Sequence, residues 1–186
     1  MAAIDASNAD DPETLVVRGA RRPKELAHAD LMVEWVRRLD PDATKEQLLA
    51  ARASHLRRWS LPRSSYPEGR AGYLRWRTAL RKQHAAEVAG ILAGAGYDDA
   101  TIERVAAIVG KVGLGKDPAV QVHEDALCLV FLETQLATTA EQLGDDKAVD
   151  VLAKTAAKMS DAALALVAEL DLTPAERELV DRALGG

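Results

Sequence analysis

Apolar residues recur every three or four positions along most of the chain after residue 22, the spacing that gives an α-helix one buried face. In the segment 23–39, for example, Met32, Trp35 and Leu39 fall on one stripe. The alternation of apolar and polar residues that is typical of β-strands is confined to a weak run at 15–17. The pattern therefore predicts an all-α fold, a compact array of about seven or eight helices.

Capping residues and helix breakers divide this pattern into separate helices. Pro23 suits the first position of a helix, and Thr44 with Gln47 and Thr173 with Glu176 form capping boxes. The predicted helices cover 23–39, 44–59, 71–94, 100–112, 118–143, 146–158, 160–170 and 174–183.

The first 20 residues are acidic and lack the helical repeat, so we expect a disordered or extended N-terminal arm before a single helical domain over 21–186. The longest apolar run, 126–132, is too short to span a bilayer, and the sequence shows no secretory signal. The single Cys128 cannot form an internal disulfide. These features predict a cytoplasmic protein that does not contact a membrane, and they leave open a homodimer or a partner protein.

Positive charge is concentrated in one segment of an acidic chain. The net charge is −5, yet residues 52–82 hold nine basic residues and one acid, so the remainder carries −13. The loop "SLPRSSYPEGR" in this segment offers guanidinium groups and hydroxyls, which suit a tetrahedral oxyanion. The predicted substrate-binding residues are Arg58, Arg63, Tyr66, Arg70, Tyr73, Arg75 and Arg77. A solvated basic face that packs on aromatic residues is the alternative.

Two other anion ligands are disfavoured. Most aromatic residues of the basic segment occupy predicted core positions in an acidic chain, which argues against nucleic acid as a partner. The stretch "GKVGLGKD", 110–117, approaches a P-loop, but it follows a helix and has Asp117 where Ser or Thr must hold Mg²⁺.

Titratable side chains lie on the apolar stripes of four predicted helices, while His123 looks peripheral. A core histidine that donates to a carbonyl group explains any single case, but buried carboxylates are rare and need partners. The set predicts a polar cavity in which a histidine acts as general acid or base and a carboxylate holds it. The predicted catalytic residues are His55, His84, Glu124 and Asp125, and His28 points to the same interior.

The order of these residues resembles that of the HD superfamily, all-helical metal-dependent phosphohydrolases. His28 resembles the first ligand, His55 the histidine of the His-Asp doublet, His84 a later histidine, and Asp125 the closing aspartate. More closely, residues 22–136 resemble an uncharacterised HD-like family known only as a domain of unknown function. That likeness is carried by "PKEL", "HLRRWSLPRSSYPEGRAGYLRWR" and "HEDALCLVFLE".

The resemblance implies an HD-domain-like array and one divalent ion, Zn²⁺, Fe or Mn²⁺, on His28, His55, His84 and Asp125. Leu56 stands where the doublet has its aspartate, so a site that has no cofactor and relies on arginines is the alternative.

These features predict an enzyme for a small anionic substrate bearing a phosphate or sulfate group. Without a metal, the arginines hold the oxyanion as a leaving group in an elimination or an internal substitution, a lyase reaction. With a metal, HD-type hydrolysis follows. A non-catalytic module that binds an anionic metabolite or an acidic partner protein is the third hypothesis.

Overall fold

A computed structural model describes residues 1–185, and this part of the chain is mostly helical with one small β-sheet. In chain order its α-helices are α1 (Ala2–Ala9), α2 (Lys24–Leu39), α3 (Lys45–Arg52), α4 (Gly69–Gly94), α5 (Asp99–Val109), α6 (Pro118–Leu143), α7 (Asp145–Ala156), α8 (Asp161–Leu166) and α9 (Pro174–Leu184). Short 3₁₀ turns cover Arg58–Ser60, Arg63–Ser65 and Val167–Glu169.

A short β-hairpin departs from the purely helical prediction. Strands β1 (Thr14–Val17) and β2 (Ala20–Pro23) pair antiparallel, and Arg18 and Gly19 between them both have positive φ. Two consecutive residues of this kind make the tight turn whose twist matches a hairpin. Pro23 therefore ends a strand and caps α2, instead of occupying its first turn.

Residues 1–20 are folded, where the sequence predicted a disordered or extended arm. They form α1, strand β1 and the start of β2. Ile4 is buried in the same apolar cluster as residues of α3, and Asn8 is buried as well. The segment's order comes from partners elsewhere in the chain, which local composition does not reveal.

Most predicted helices are present, but three end early. The one predicted over 160–170 stops as an α-helix at Leu166 and continues as a 3₁₀ turn to Glu169. The helix predicted over 44–59 stops at Arg52, and the chain then runs through turns in which Arg57 has a φ of 48°. The helix predicted over 100–112 stops at Val109, because Lys111 has a φ of 57°. A left-handed residue cannot continue a right-handed helix. The capping boxes at Thr44 and Thr173 are both formed.

The described residues form two compact units, 1–123 and 124–185, and each is described by itself. In the first unit, α3, α4 and α5 share a core with α1 and the turn after α3. Its apolar members are Ile4, Leu49, Ala50, Ala53, Leu56, Val88, Leu92, Val105, Ile108, Val109 and Val120. In the second unit α7 packs against α9.

The apolar seam of α4 has the predicted spacing of four residues. Trp76, Leu80, His84, Val88 and Leu92 are all buried. Among the described helices, none combines the length and apolar character needed to cross a membrane.

Candidate functional site

Helix α2 supplies a carboxylate and an imidazole from one buried face. Glu25 and His28 are three residues apart, so their side chains project from the same side of the helix. Both side chains are buried. The carboxylate of Asp11 accepts the backbone N–H of Glu25, which caps the first turn of α2 and fixes the position of Glu25.

The turn after α3 supplies the second imidazole. Residues 53–57 leave the helix there, and the backbone N–H of Arg57 donates to Oδ1 of Asn8 in α1. Oγ of Ser54 is 3.3 Å from Nδ1 of His28. This turn therefore holds His55 by contacts with both α1 and α2.

Three histidines, His28, His55 and His84, lie together in the first unit. The rings of His28 and His55 stack with centroids 3.9 Å apart, and the rings of His55 and His84 are 6.0 Å apart. Nδ1 of His55 lies 3.2 Å from Oε2 of Glu25. The carboxylate that holds His55 is thus Glu25.

His84 reaches this cluster from α4. It hydrogen-bonds to the backbone of Ser54, an interaction that raises its pKa. Its Nε2 is buried without a hydrogen-bond partner among the described residues. The Ser54 bond occupies the other ring nitrogen, so Nε2 carries the lone pair and can accept a proton or a hydrogen bond.

Burial sets the charge of these groups. Desolvation lowers the pKa of His28 and of His55 well below the ordinary histidine value, and it lowers the pKa of His84 to about 3. Desolvation also raises the pKa of Glu25. The imidazoles are consequently neutral at pH 7, the state in which histidine binds a metal ion or accepts a proton.

Two of the predicted arginines stand beside this cluster. The guanidinium of Arg58 lies over the ring of Trp76, and its positive charge lowers the pKa of all three histidines. Arg77 donates to the hydroxyl of Tyr73, and its charge also lowers the pKa of His55. Arg58 and Arg77 are thus linked through Trp76 and Tyr73, and the positive charge of both arginines acts on His55.

The remaining predicted anion ligands have other surroundings. Arg63 donates to the carbonyl oxygens of Tyr66 and Pro67, so its guanidinium braces its own loop. Arg70 and Arg75 are exposed and have no hydrogen bond or ion pair among the described residues. Their role in substrate binding stays a prediction.

Glu124 and Asp125 belong to the second unit. Oε1 of Glu124 lies 3.8 Å from Nζ of Lys158, and the carboxylate of Asp125 accepts the backbone N–H and the hydroxyl of Ser160. Their predicted catalytic roles, and a role for Asp125 as a metal ligand, stay predictions. His123, which looked peripheral in the sequence, is only 2% exposed.

The cluster contains a donor set for a metal ion. One ligand atom each from Glu25, His28 and His55 lies within 4.8 Å of the others. Bonds of about 2.0–2.2 Å hold ligand atoms at most about 4.4 Å apart, so small side-chain rotations close the set. Two imidazoles and a carboxylate suit Zn²⁺, Mn²⁺ or Fe²⁺, and the neutral histidines are ready to bind without losing a proton.

Sequence reasoning missed Glu25, although a signal was present. Glu25 and His28 form a Glu-x-x-His pair, the spacing that aims a carboxylate and an imidazole at one ion from a single helix. Ser54 and Asn8 carried no comparable signal, because their roles depend on contacts with distant segments.

Comparison with known protein families identifies the family to which this chain belongs. No curated protein and no solved structure matches the chain. A family described as a domain of unknown function matches residues 1–180, which extends beyond the stretch 22–136 that carried the resemblance. The chain therefore belongs to the DUF4202 family, a domain of unknown function.

Proposed function

We propose that this protein is a metal-dependent hydrolase for small phosphate or sulfate esters. The observation that carries the proposal is the donor set of Glu25, His28 and His55 beside the guanidinium of Arg58. A site of this kind pairs a Lewis acid with a fixed cation for the oxyanion, which is the combination that ester hydrolysis needs.

The residues fit a divalent ion by two observations. The donors are two neutral imidazoles and one carboxylate, buried or nearly so. Nδ1 of His28 already has Ser54 Oγ as a neighbour, which orients the ring as an outer-shell partner does. A bound ion lowers the pKa of a water molecule and polarises an ester oxygen.

Residues of the chain itself would carry out the remaining steps, which are oxyanion binding and proton transfer. Arg58 and Arg77 bind the oxyanion and stabilise its charge as the ester bond breaks. Nε2 of His84 accepts a proton from the attacking water, whose oxygen forms the new bond to phosphorus or sulfur while the bond to the alcohol oxygen breaks and the alcohol leaves with a proton. The charge of Arg58 helps to lower the pKa of His84, so a bound anion, which offsets that charge, makes His84 a better acceptor.

We place this family as a divergent relative of the HD-domain phosphohydrolases. His28, His55 and His84 follow the order of that superfamily, and Leu56 replaces the doublet aspartate. In the proposed site the carboxylate ligand is Glu25, which lies at a different position in the chain from the missing aspartate. Of the reactions that the sequence predicted, we favour hydrolysis over elimination without a metal. The reason is that the buried carboxylate of Glu25, beside two neutral histidines, favours a cation as its partner.

Hydrolysis of p-nitrophenyl phosphate and p-nitrophenyl sulfate by protein without a histidine tag tests the proposal. We expect turnover of at least one ester, its loss with a chelator, and its recovery with Mn²⁺ or Zn²⁺. Glu25→Gln should abolish turnover, whereas Glu34→Gln, an exposed carboxylate on the same helix, should retain it. Turnover that survives both the chelator and Glu25→Gln would reject a metal-dependent site at Glu25.

A further inference from the structure

Two side chains of the N-terminal segment hold the two halves of the donor set. Oδ2 of Asp11 accepts the backbone N–H of Glu25 at 2.8 Å, and Oδ1 of Asn8 accepts the backbone N–H of Arg57 at 3.0 Å. Glu25 supplies the carboxylate of the set, and Arg57 lies two residues after His55, which supplies an imidazole. The contact of 3.2 Å between Nδ1 of His55 and Oε2 of Glu25 therefore joins two stretches of backbone that the same segment holds.

The N-terminal segment is anchored by contacts that do not involve these two side chains. Ile4 is buried in the core that α1 shares with α3, α4 and α5. Arg52, the last residue of α3, forms ion pairs with Asp5 of α1 and Asp30 of α2, and Arg22 of β2 also pairs with Asp30. The segment is thus docked on α2 and on the end of α3, the elements that carry or directly precede the donors.

Packing alone does not explain an asparagine at position 8. Asn8 is 1% exposed, and its Nδ2 is buried without a hydrogen-bond partner among the described residues. An unsatisfied amide in the interior costs free energy, which an apolar side chain would avoid. Asparagine supplies the acceptor for Arg57, whose left-handed backbone, with a φ of 48°, is strained in a residue that has a Cβ. The bond therefore maintains a turn that its own residues disfavour.

The same turn links the metal donor to the proposed oxyanion ligand. Arg58 follows Arg57 directly, and its guanidinium lies 4.9 Å from the centre of the Trp76 ring. The backbone angles of Arg57 set the direction in which the chain passes from His55 to Arg58. The bond to Asn8 consequently orients both side chains.

We infer that Asn8 and Asp11 are positioning residues, which hold Glu25 and His55 at the separation that the proposed metal ion requires. The inference rests on the proposed function and adds to that site two residues that would touch neither the ion nor the substrate. Residues that orient metal ligands typically change metal affinity by roughly 10–100-fold. Their position in a segment distant in sequence from His55 makes the site dependent on the docked N-terminal segment.

The tautomer of His55 in the chelated protein tests the inference without relying on the ion. A positioned His55 carries its proton on Nδ1 and donates it to the Glu25 carboxylate, whereas a released imidazole favours the proton on Nε2. NMR of the imidazole nitrogens at about pH 8 should show the Nδ1–H form in the wild type and mainly the Nε2–H form in Asn8→Leu and Asp11→Ala. Asn8→Asp keeps the acceptor for Arg57 and should retain the wild-type tautomer, although its buried charge lowers stability.

Zn²⁺ affinity, measured by competition with a chelator, gives a second result on the same variants. The dissociation constant should rise roughly tenfold or more in Asn8→Leu and Asp11→Ala. It should stay unchanged in Asn8→Asp and in Asp10→Ala, which removes a neighbouring exposed carboxylate. If Asn8 contributed stability alone, the unstable Asn8→Asp would lose affinity as well.

Either measurement can overturn the inference. The Nδ1–H form in Asn8→Leu and Asp11→Ala, or the Nε2–H form in the wild type, would do so, as would Zn²⁺ binding of equal strength in the wild type and these two variants. A wild type that binds no ion would reject the proposed function, and the tautomer of His55 would still decide whether Asn8 and Asp11 position the Glu25–His55 pair.

Discussion

At the scale of single residues, the candidate site consists of titratable groups whose pKa values burial shifts toward the uncharged form. His28 and His84 are each 4% exposed, and Glu25 is 4% exposed. Moving a charge into such surroundings costs several kcal/mol unless a partner offsets it. Burial therefore favours neutral imidazoles beside Glu25, and in the proposed site a divalent cation would stabilise the Glu25 carboxylate.

This arrangement predicts a specific loss of stability in acid. The pKa of His84 is lowered from 6.5 to about 3, so the unfolded chain takes up a proton below pH 6.5 while the folded protein does not. Stability present above pH 6.5 is thus lost as the pH falls. For His84 alone the loss is about 2 kcal/mol between pH 7 and pH 5. His28 and His55 act in the same direction, and the raised pKa of Glu25 acts in the opposite one.

Urea unfolding of the chelated protein at pH 7 and pH 5 measures this effect. The change in unfolding free energy between the two pH values should be smaller in His84→Leu than in the wild type by about 2 kcal/mol. Since each variant is compared with itself, the lost Ser54 bond does not affect the result. Equal changes in the two proteins would mean that His84 titrates normally in the folded state.

At the scale of elements, the loop 61–68 is locked onto the start of α4. Arg63 donates to the carbonyl oxygens of Tyr66 and Pro67, and Trp76 Nε1–H donates to the carbonyl of Leu61. A Cβ at Gly72 would lie 1.8 Å from the carbonyl oxygen of Pro67. Only glycine allows the loop to come this close to the helix.

Gly72→Ala should therefore displace the loop and destabilise the protein by about 2 kcal/mol, the usual scale of overpacking. Gly90→Ala is the matched control in the same helix, because a Cβ there meets no atom within 4 Å. It should stabilise the protein by about 0.5–1 kcal/mol through helix propensity. Thermal unfolding of both variants measures these changes in stability. An unchanged stability in Gly72→Ala would show that the loop can move away from the helix at little cost.

The N-terminal segment also supports the site, through the cap that Asp11 places on α2. Asp11→Ala should cost about 1 kcal/mol of stability, because the N–H groups of Glu13 and Glu25 both lose their acceptor. Asp10→Ala removes a neighbouring exposed carboxylate and should be close to neutral. Equal melting temperatures in the two variants would contradict this role.

The helices show which structural features can be predicted from residues that are close in sequence. The apolar seam of α4 and the capping boxes of α3 and α9 were predictable, because they depend on residues within a few positions of each other. The early end of α3 was not, since Arg57 is held left-handed by Asn8, 49 positions away. For the same reason the sequence placed His55 in a helix, whereas it lies in the turn after α3, and its catalytic role stays a prediction.

At the scale of the whole molecule, charge divides between the two units. Residues 124–186 contain 13 acidic and five basic side chains, a net charge of −8 that leaves +3 on residues 1–123. The chain as a whole is acidic, but the unit that contains the histidine cluster therefore has a net positive charge. A positive site attracts anions by a field that salt screens.

Phosphate binding should accordingly weaken as salt increases. Between 0.05 and 0.5 M KCl the Debye length falls several-fold, so the dissociation constant of inorganic phosphate should rise several-fold. Arg58→Gln should bind phosphate more weakly and show a smaller dependence on salt, whereas Arg37→Gln, an exposed arginine on the far end of α2 from Glu25, should behave like the wild type. Affinity that does not change with salt would exclude a cationic site.

Metal analysis of protein purified without a histidine tag decides whether Glu25, His28 and His55 hold a divalent ion. We expect close to one equivalent of Zn²⁺, Mn²⁺ or Fe²⁺ in the wild type and in Glu34→Gln, and a loss of most of that metal in Glu25→Gln and His28→Gln. A wild type that takes up no ion after incubation with these metals, or equal metal content in all four proteins, would show that these three residues do not form a metal site.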